Sequence, residues 1–181
     1  MIMKRALRLS ISDWVNGEPS FSNLNVMLVF QVNCPGCFLY SLPTMIKAKP
    51  YLQSKGIFSF ALSTAFEDFD KNTLNNTELL QQRGQLVGET SAMFQKMGEA
   101  TLPYKLDFPI AFDRLKGEPN VPREENERIG MVPYTGGQTF FENGFQGTPT
   151  WVIFNKNFDV LLQTFGHLDE QNLINLLETH A

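Results

Sequence analysis

The sequence predicts an α/β fold, a β-sheet carrying helices on its faces, on three observations. Val26–Val32 (VMLVFQV) is almost wholly apolar and rich in branched and aromatic side chains, as a strand buried on both faces requires. Strand-like runs and helical stripes then alternate along the chain in the order β-α-β-α-β. Two further strands and an amphipathic helix close it. At 181 residues the chain suits one domain, 1–181, long enough to bury a substantial core.

Leu7–Ile11 alternates apolar and polar residues, and Asn16-Gly17 is a dipeptide favoured in tight hairpin turns. Residues 1–24 are therefore expected to form a short N-terminal β-hairpin extension, or an extended lead-in, to the main domain. The strand from Asn25 to Val32 runs directly into Cys34-Pro35-Gly36-Cys37. A helix is expected to follow, because Phe38, Leu42, Met45 and Ile46 recur at helical spacing and Pro35 falls in a first turn, where proline costs little. Pro43 should kink that helix, and Lys49-Pro50 should mark its fraying or restart. Ile57–Phe66 reads as a second buried strand, and Asp68–Asn76 as a polar turn. Leu79, Leu80, Leu86, Val87, Met93, Phe94 and Met97 lie at helical period, with a break expected near Gly84. A short strand is expected around Phe108–Phe112. Pro119–Gly147 carries no period, and a stretch of that length in a compact domain is usually functional or mobile. Thr150–Asn155 and Val160–Phe165 read as strands joined through Asn155–Asp159. Asp169 is placed to cap a last helix with Leu173, Ile174 and Leu177 on its buried face.

Composition narrows the function classes. A formal net charge of −4, with no basic stripe interleaved with aromatics, argues against a nucleic-acid partner. No stretch approaches membrane-spanning length, so no membrane partner is expected. The start, MIMKRALRLSISDW, shows no apolar core of a secretory signal. The chain thus reads as cytoplasmic, or as periplasmic if an export signal precedes it. Sixteen phenylalanines point to an aromatic-rich core.

The chemistry is concentrated in two cysteines three residues apart. A thiolate rather than a thiol attacks a disulfide, so a nucleophilic cysteine needs its ionised form favoured. A strand end that opens into a helix provides this, since the first N–H groups lack partners and the helix dipole favours negative charge. Cys34 is the candidate nucleophile there. Cys37, one turn on, can reach back onto a mixed disulfide and release the product. A zinc site would need about four ligands. With no second cysteine pair and only His167 and His180 as histidines, no metal is expected. Thr148-Pro149 stands immediately before the apolar run WVIF. A cis bond there would turn the chain sharply and free the Thr148 backbone to pair with an extended substrate, while the plainer reading from these residues alone is a trans proline that starts a strand.

CPGC after a buried strand, a proline in the following helix, and GTPTWVIFNKNFDVLLQTFGHLDEQNLINLL together resemble the thioredoxin superfamily. The likeness is to its redoxin group, the TlpA-like thiol–disulfide oxidoreductases and AhpC/TSA-like proteins. It extends from about Asn25 to the C-terminus, with the segment 113–147 an unmatched insertion. The resemblance implies a thioredoxin-like fold, a central mixed β-sheet flanked by helices. It further implies Cys34 as attacking and Cys37 as resolving cysteine, Pro149 as a cis-proline facing them, and Thr148, Pro35 and Gly36 as substrate-contacting positions. Two departures stand out: Asn33 replaces the usual tryptophan before the first cysteine, and Leu28 occupies the place of a buried acid six residues before it. Glu67 lies near where TlpA-like proteins can hold an acid; its plainer reading is a solvated loop carboxylate.

The expected function is therefore thiol–disulfide exchange with a protein disulfide or dithiol substrate, a thioredoxin- or glutathione-type electron donor, and no bound cofactor. Two alternatives remain. One is a thiol peroxidase using Cys34 with Cys37 resolving the sulfenic acid. Against it, peroxiredoxins carry threonine where Gln31 stands, and need an arginine near the thiolate, whereas Arg123 and Arg128 lie in the unmatched segment, where a charged run is most simply a solvated loop. The other is a non-catalytic binding module presenting Phe140, Phe141 and Phe145. His167 reads as an exposed turn residue and His180 as a terminal one.

Overall fold

The computed structural model describes residues 4–117, 124 and 135–181. Six strands form the main sheet: β1 (Ile11–Asn16), β2 (Leu24–Phe30), β3 (Phe58–Ser63), β4 (Ile110–Asp113), β7 (Thr150–Asn155) and β8 (Val160–Phe165). Their order is β1-β4-β3-β2-β7-β8. β2, β3 and β4 run parallel, while β1, β7 and β8 join antiparallel, so the sheet is mixed as expected. β2 lies between β3 and β7 with all seven residues buried, which is why its sequence is a continuous apolar run rather than an alternation.

Among the described residues the N-terminal β-hairpin is not found. Residues 11–16 form one strand, β1, paired with β4 at the sheet edge, so Asn16 sits opposite Ile110. Gly17, at φ +73°, turns the chain away there, and a side chain at that position would press on Pro109.

Helices cover both faces. On one face α1 (Leu42–Ser54), α2 (Leu74–Arg83), α3 (Gly88–Lys96) and α5 (Glu170–His180) pack over Val26, Leu28, Phe30, Trp151 and Ile153. On the other, Leu7, Phe140 from the short α4 (Gln138–Glu142) and Phe145 cover Met27, Val29, Phe60, Leu62 and Val152. Nine of the sixteen phenylalanines are buried, so the aromatic excess serves the core.

The helix after the cysteines differs from expectation in an instructive way. Pro35 and Gly36 are helical, but Cys37–Ser41 is wound as a π-helix before α1 begins. Pro43 accounts for the widened turn. It has no N–H for the carbonyl of Leu39, and its ring crowds that carbonyl. The ladder slips to i→i−5, with Leu42 N–H donating to Cys37 O. The Tyr104 hydroxyl donates to Phe38 O. Pro50, by contrast, neither frays nor restarts the helix, which continues to Ser54.

Elsewhere the boundaries move. α2 starts at Leu74 because Thr73 accepts Asn76 N–H as its cap, and the helix stops at Gly84 in a left-handed conformation, where the break was expected. Met97 is exposed, outside the core stripe. Within 113–147, β5 (Leu115–Lys116) pairs with β6 (Gly136–Gly137), and α4 follows. Arg123 and Arg128 lie outside the described residues. Asp169 caps α5 by accepting Asn172 N–H, with Leu173 and Leu177 buried and Ile174 only half-buried.

Candidate active site

Cys34 follows the end of β2 at the edge where the parallel strands finish. It opens the helix, since Cys37 N–H donates to Cys34 O at 3.0 Å. Cys34 is half-buried and Cys37 is fully buried in the apolar cluster under α1. The two are joined in a disulfide, their Cα atoms 5.4 Å apart. One sulfur therefore reaches the surface and the other does not.

Pro35 and Gly36, between them, are half-exposed. Gly36 has an ordinary helical φ of −61°, and a Cβ added there would meet nothing within 4 Å. The backbone does not demand a glycine; its effect is to keep the surface beside Cys34 bare.

The Thr148–Pro149 peptide is cis. Gly166 N–H donates to Pro149 O, and the Thr150 hydroxyl donates to Gly147 O. Phe165 covers Gly147, where any side chain would collide with its ring. The turn thus held places Thr148 O 3.8 Å from Cys34 Sγ. Cys34 and Thr148 thus meet near the surface, with Pro35, Gly36 and Pro149 beside them in the chain and likewise partly exposed; the exposed Tyr40 ring lies 5.2 Å from His167.

Glu67 is exposed, and its carboxylate has no hydrogen-bond partner among the described residues; its backbone C=O accepts from Asn72 Nδ2. Leu28, where the resemblance places an acid, is buried opposite Trp151. The cluster around Cys37 is accordingly apolar.

A polar clamp beside Cys34 went unread in the sequence. Asn33 is buried; its Nδ2 donates to Asp68 Oδ2 at 2.8 Å and its Oδ1 accepts Glu89 N–H at 2.8 Å. Its backbone N–H donates to Asn72 Oδ1. Gln31 Oε1 accepts from Phe66 N–H and Asn72 Nδ2, so this side chain is committed to holding the 66–72 loop. The available signal was a cluster of amides, Gln31, Asn33 and Asn72, at a strand end and a turn, where unpaired polar groups are costly. Farther along the same sheet edge, the buried Asp113 accepts from Thr139 N–H, Phe140 N–H and the Thr64 hydroxyl. Burial pushes its carboxyl above the ordinary range, against the opposing pull of those donors.

Among the described residues no cluster of three or more histidine, cysteine or carboxylate side chains could hold a metal, and no helix is long and apolar enough to cross a membrane. A depression of about 650 Å³, lined by Arg83, Tyr104 and Lys105, contains neither cysteine.

Solved structures match this architecture over almost its whole length. A thiol-disulfide isomerase from Corynebacterium glutamicum aligns with a TM-score of 0.65 at 22% identity, covering 97% of this chain and 95% of the other. A thioredoxin-like superfamily protein aligns at 0.65 and 18% identity, covering 98% and 96%. The thioredoxin domain of a thiol-disulfide oxidoreductase from Bacteroides vulgatus aligns at 0.53 and 9% identity, covering 99% and 98%. No family model and no curated protein sequence matches the chain. The chain has the thioredoxin-like fold.

Proposed function

We propose that the protein is a thiol–disulfide oxidoreductase acting on protein disulfides or dithiols through Cys34 and Cys37. The observation that carries this is the asymmetry of the pair: a half-buried Cys34 at a helix start, disulfide-bonded to a fully buried Cys37 and facing Thr148 O across the cis turn. In the reducing direction, the Cys34 thiolate attacks one sulfur of a substrate disulfide. A mixed disulfide forms and the first substrate thiolate leaves. Cys37 then loses its proton to solvent or to a departing thiolate and attacks Cys34 Sγ. The Cys34–Cys37 bond forms, the Cys34–substrate bond breaks, and the second substrate thiol is released. Two electrons pass from the cysteine pair to the substrate, and a thioredoxin-type dithiol, or two glutathione-type thiols, restores them. Helix-start N–H groups stabilise the Cys34 thiolate, and Thr148 with Pro149 offers an edge for an extended peptide. A reducing cytoplasm would make reduction the net direction.

Insulin reduction by dithiothreitol tests this reading. The wild type should accelerate it, Cys34→Ser should abolish the acceleration, and Cys37→Ser should accumulate the mixed disulfide. No acceleration by the wild type would overturn the proposal; hydrogen peroxide consumption faster than by free thiol would move it to a peroxidase. Gln31 supports the first outcome, since its side chain is held by the 66–72 loop.

A further inference from the structure

Ser41 and Trp151 do something that neither the fold nor the proposed exchange explains. Both side chains are fully buried, and neither Ser41 Oγ nor Trp151 Nε1 has a hydrogen-bond partner among the described residues. A buried polar group left unpaired in this way is costly and unusual. Ser41 lies one turn along the helix from Cys37, on the same buried side, with Phe38 and Leu42 beside it. In a regular helix its hydroxyl could bond back to Cys37 O; in this π-turn, where that carbonyl accepts Leu42 N–H, the bond is not made. Trp151 stands opposite Leu28 in the sheet beneath α1, in the same apolar cluster as Cys37. Ser41, four residues after Cys37 on the helix, and Trp151, in the cluster that encloses Cys37, are thus both orphaned on the side of the sulfur that must be released when the disulfide opens.

We propose that Ser41, assisted by Trp151, is a hydrogen-bonding partner reserved for the reduced Cys37 sulfur. This rests on the exchange reading above. In the disulfide, Cys37 Sγ carries no proton and is a weak acceptor. Opening the bond changes both properties. The Cys37 thiol donates its proton to Ser41 Oγ, and the thiolate accepts from the Ser41 O–H and the Trp151 N–H. The site supplies donors to the sulfur where the resemblance would place an acid, so the resolving thiolate is stabilised directly rather than deprotonated by a neighbouring carboxylate. Ser41 is thus satisfied in the dithiol and orphaned in the disulfide, which biases the pair toward reduction.

The consequence is a redox-dependent sign. Ser41→Ala removes an orphan from the oxidised protein and a partner from the reduced one. Urea unfolding of both forms should show the variant as stable as wild type, or more so, when oxidised, and less stable than wild type when reduced. By the same cycle, equilibration with glutathione should show the variant's disulfide favoured about three- to tenfold more, tenfold being about 30 mV. Ser41→Thr should restore the wild-type ratio, and Trp151→Phe should shift it in the same direction as Ser41→Ala. Equal stability changes in the two redox forms, with an unchanged glutathione equilibrium, would overturn the proposal. Both measurements read the cysteine pair without a protein substrate. Loss of insulin reduction in the wild type would therefore count against the exchange reading and leave this result to stand or fall alone.

Discussion

Replacing Asn33 by alanine tests how the nucleophile is held. Val87 starts α3 without a side chain that can cap it, and Asn33 Oδ1 accepts the first-turn Glu89 N–H in its place. Loss of a cap costs about 1 kcal/mol, within a range of about 0.5–2. The second bond, to Asp68 Oδ2, goes to an exposed carboxylate that water can solvate once the amide is gone, so it adds about 0.5 kcal/mol. The total is about 1.5–2 kcal/mol, or about 3–8 °C in melting temperature for a chain of this size. Urea unfolding followed by Trp14 and Trp151 fluorescence measures it. Because Asn33 is bonded directly to Cys34 in the chain, insulin reduction should also fall several-fold. An Asn33/Asp68 double-mutant cycle apportions the two bonds: Asp68→Ala alone should cost about 0.5 kcal/mol, with a coupling of similar size. A loss under 0.5 kcal/mol in Asn33→Ala would refute the clamp. So would an Asp68→Ala loss equal to it, since the ion and not the cap would then be the support.

Asp113→Ala strips the acceptor from two backbone N–H groups and the Thr64 hydroxyl. It should cost about 3–5 kcal/mol by urea unfolding, taking the lower part of the range of about 1–3 kcal/mol for each of the three buried donors left unpaired. Since burial raises the Asp113 carboxyl, the folded chain binds that proton more tightly than the unfolded one. Its contribution to stability is therefore full below the ordinary aspartate value of about 4 and declines as pH rises through the raised folded value. Asp113→Asn should flatten that decline, and an unchanged pH profile would contradict the assignment. Gly137→Ala should be similarly severe, about 3 kcal/mol, because its Cβ would press on the Thr64 hydroxyl and the Asp113 carboxylate although its φ of −62° suits alanine. Tyr104→Phe leaves Phe38 O without its donor and should cost about 1 kcal/mol by the same unfolding measurement.

What the sequence disclosed and what it withheld divide along a physical line. Local patterns carried through: the two-sided burial of Val26–Val32, the strands Thr150–Asn155 and Val160–Phe165, the Asp169 cap, and the passage of β2 into CPGC. Each is decided by residues within a few positions of one another. Partnerships across the chain were not legible. Asn16-Gly17 is a good hairpin dipeptide, yet β1 takes its partner from β4, nearly a hundred residues on, because both flanks of β2 belong to β3 and β7. The same holds at the site. Asn33 was visible as a departure from tryptophan, but its partners Asp68 and Glu89 come together only when β3 and α3 are in place. Glu67, picked out by its proximity in sequence, faces solvent, while the buried carboxylate at this sheet edge is Asp113, from another strand.

Pro43 links the buried cysteine to the loop before β4. A proline six residues after Cys37 cannot close an α-turn onto Leu39, so the helix widens where it carries the buried cysteine. The widening consumes Cys37 O through Leu42 N–H and leaves Phe38 O to be met by Tyr104, which ties the helix start to the loop before β4. Cys37 is therefore fixed by packing on the sheet side and by hydrogen bonds above and below it. Cys34, at the helix start, is positioned by its neighbour Asn33, by the disulfide to Cys37 and by its approach to Thr148 O. In an exchange reaction the attacking sulfur must meet a substrate at the surface, and the resolving sulfur must stay in register to attack it in turn. A rigid, enclosed Cys37 beneath an accessible Cys34 meets both conditions, and in the widened turn that fixes Cys37 the Ser41 hydroxyl has no partner among the described residues.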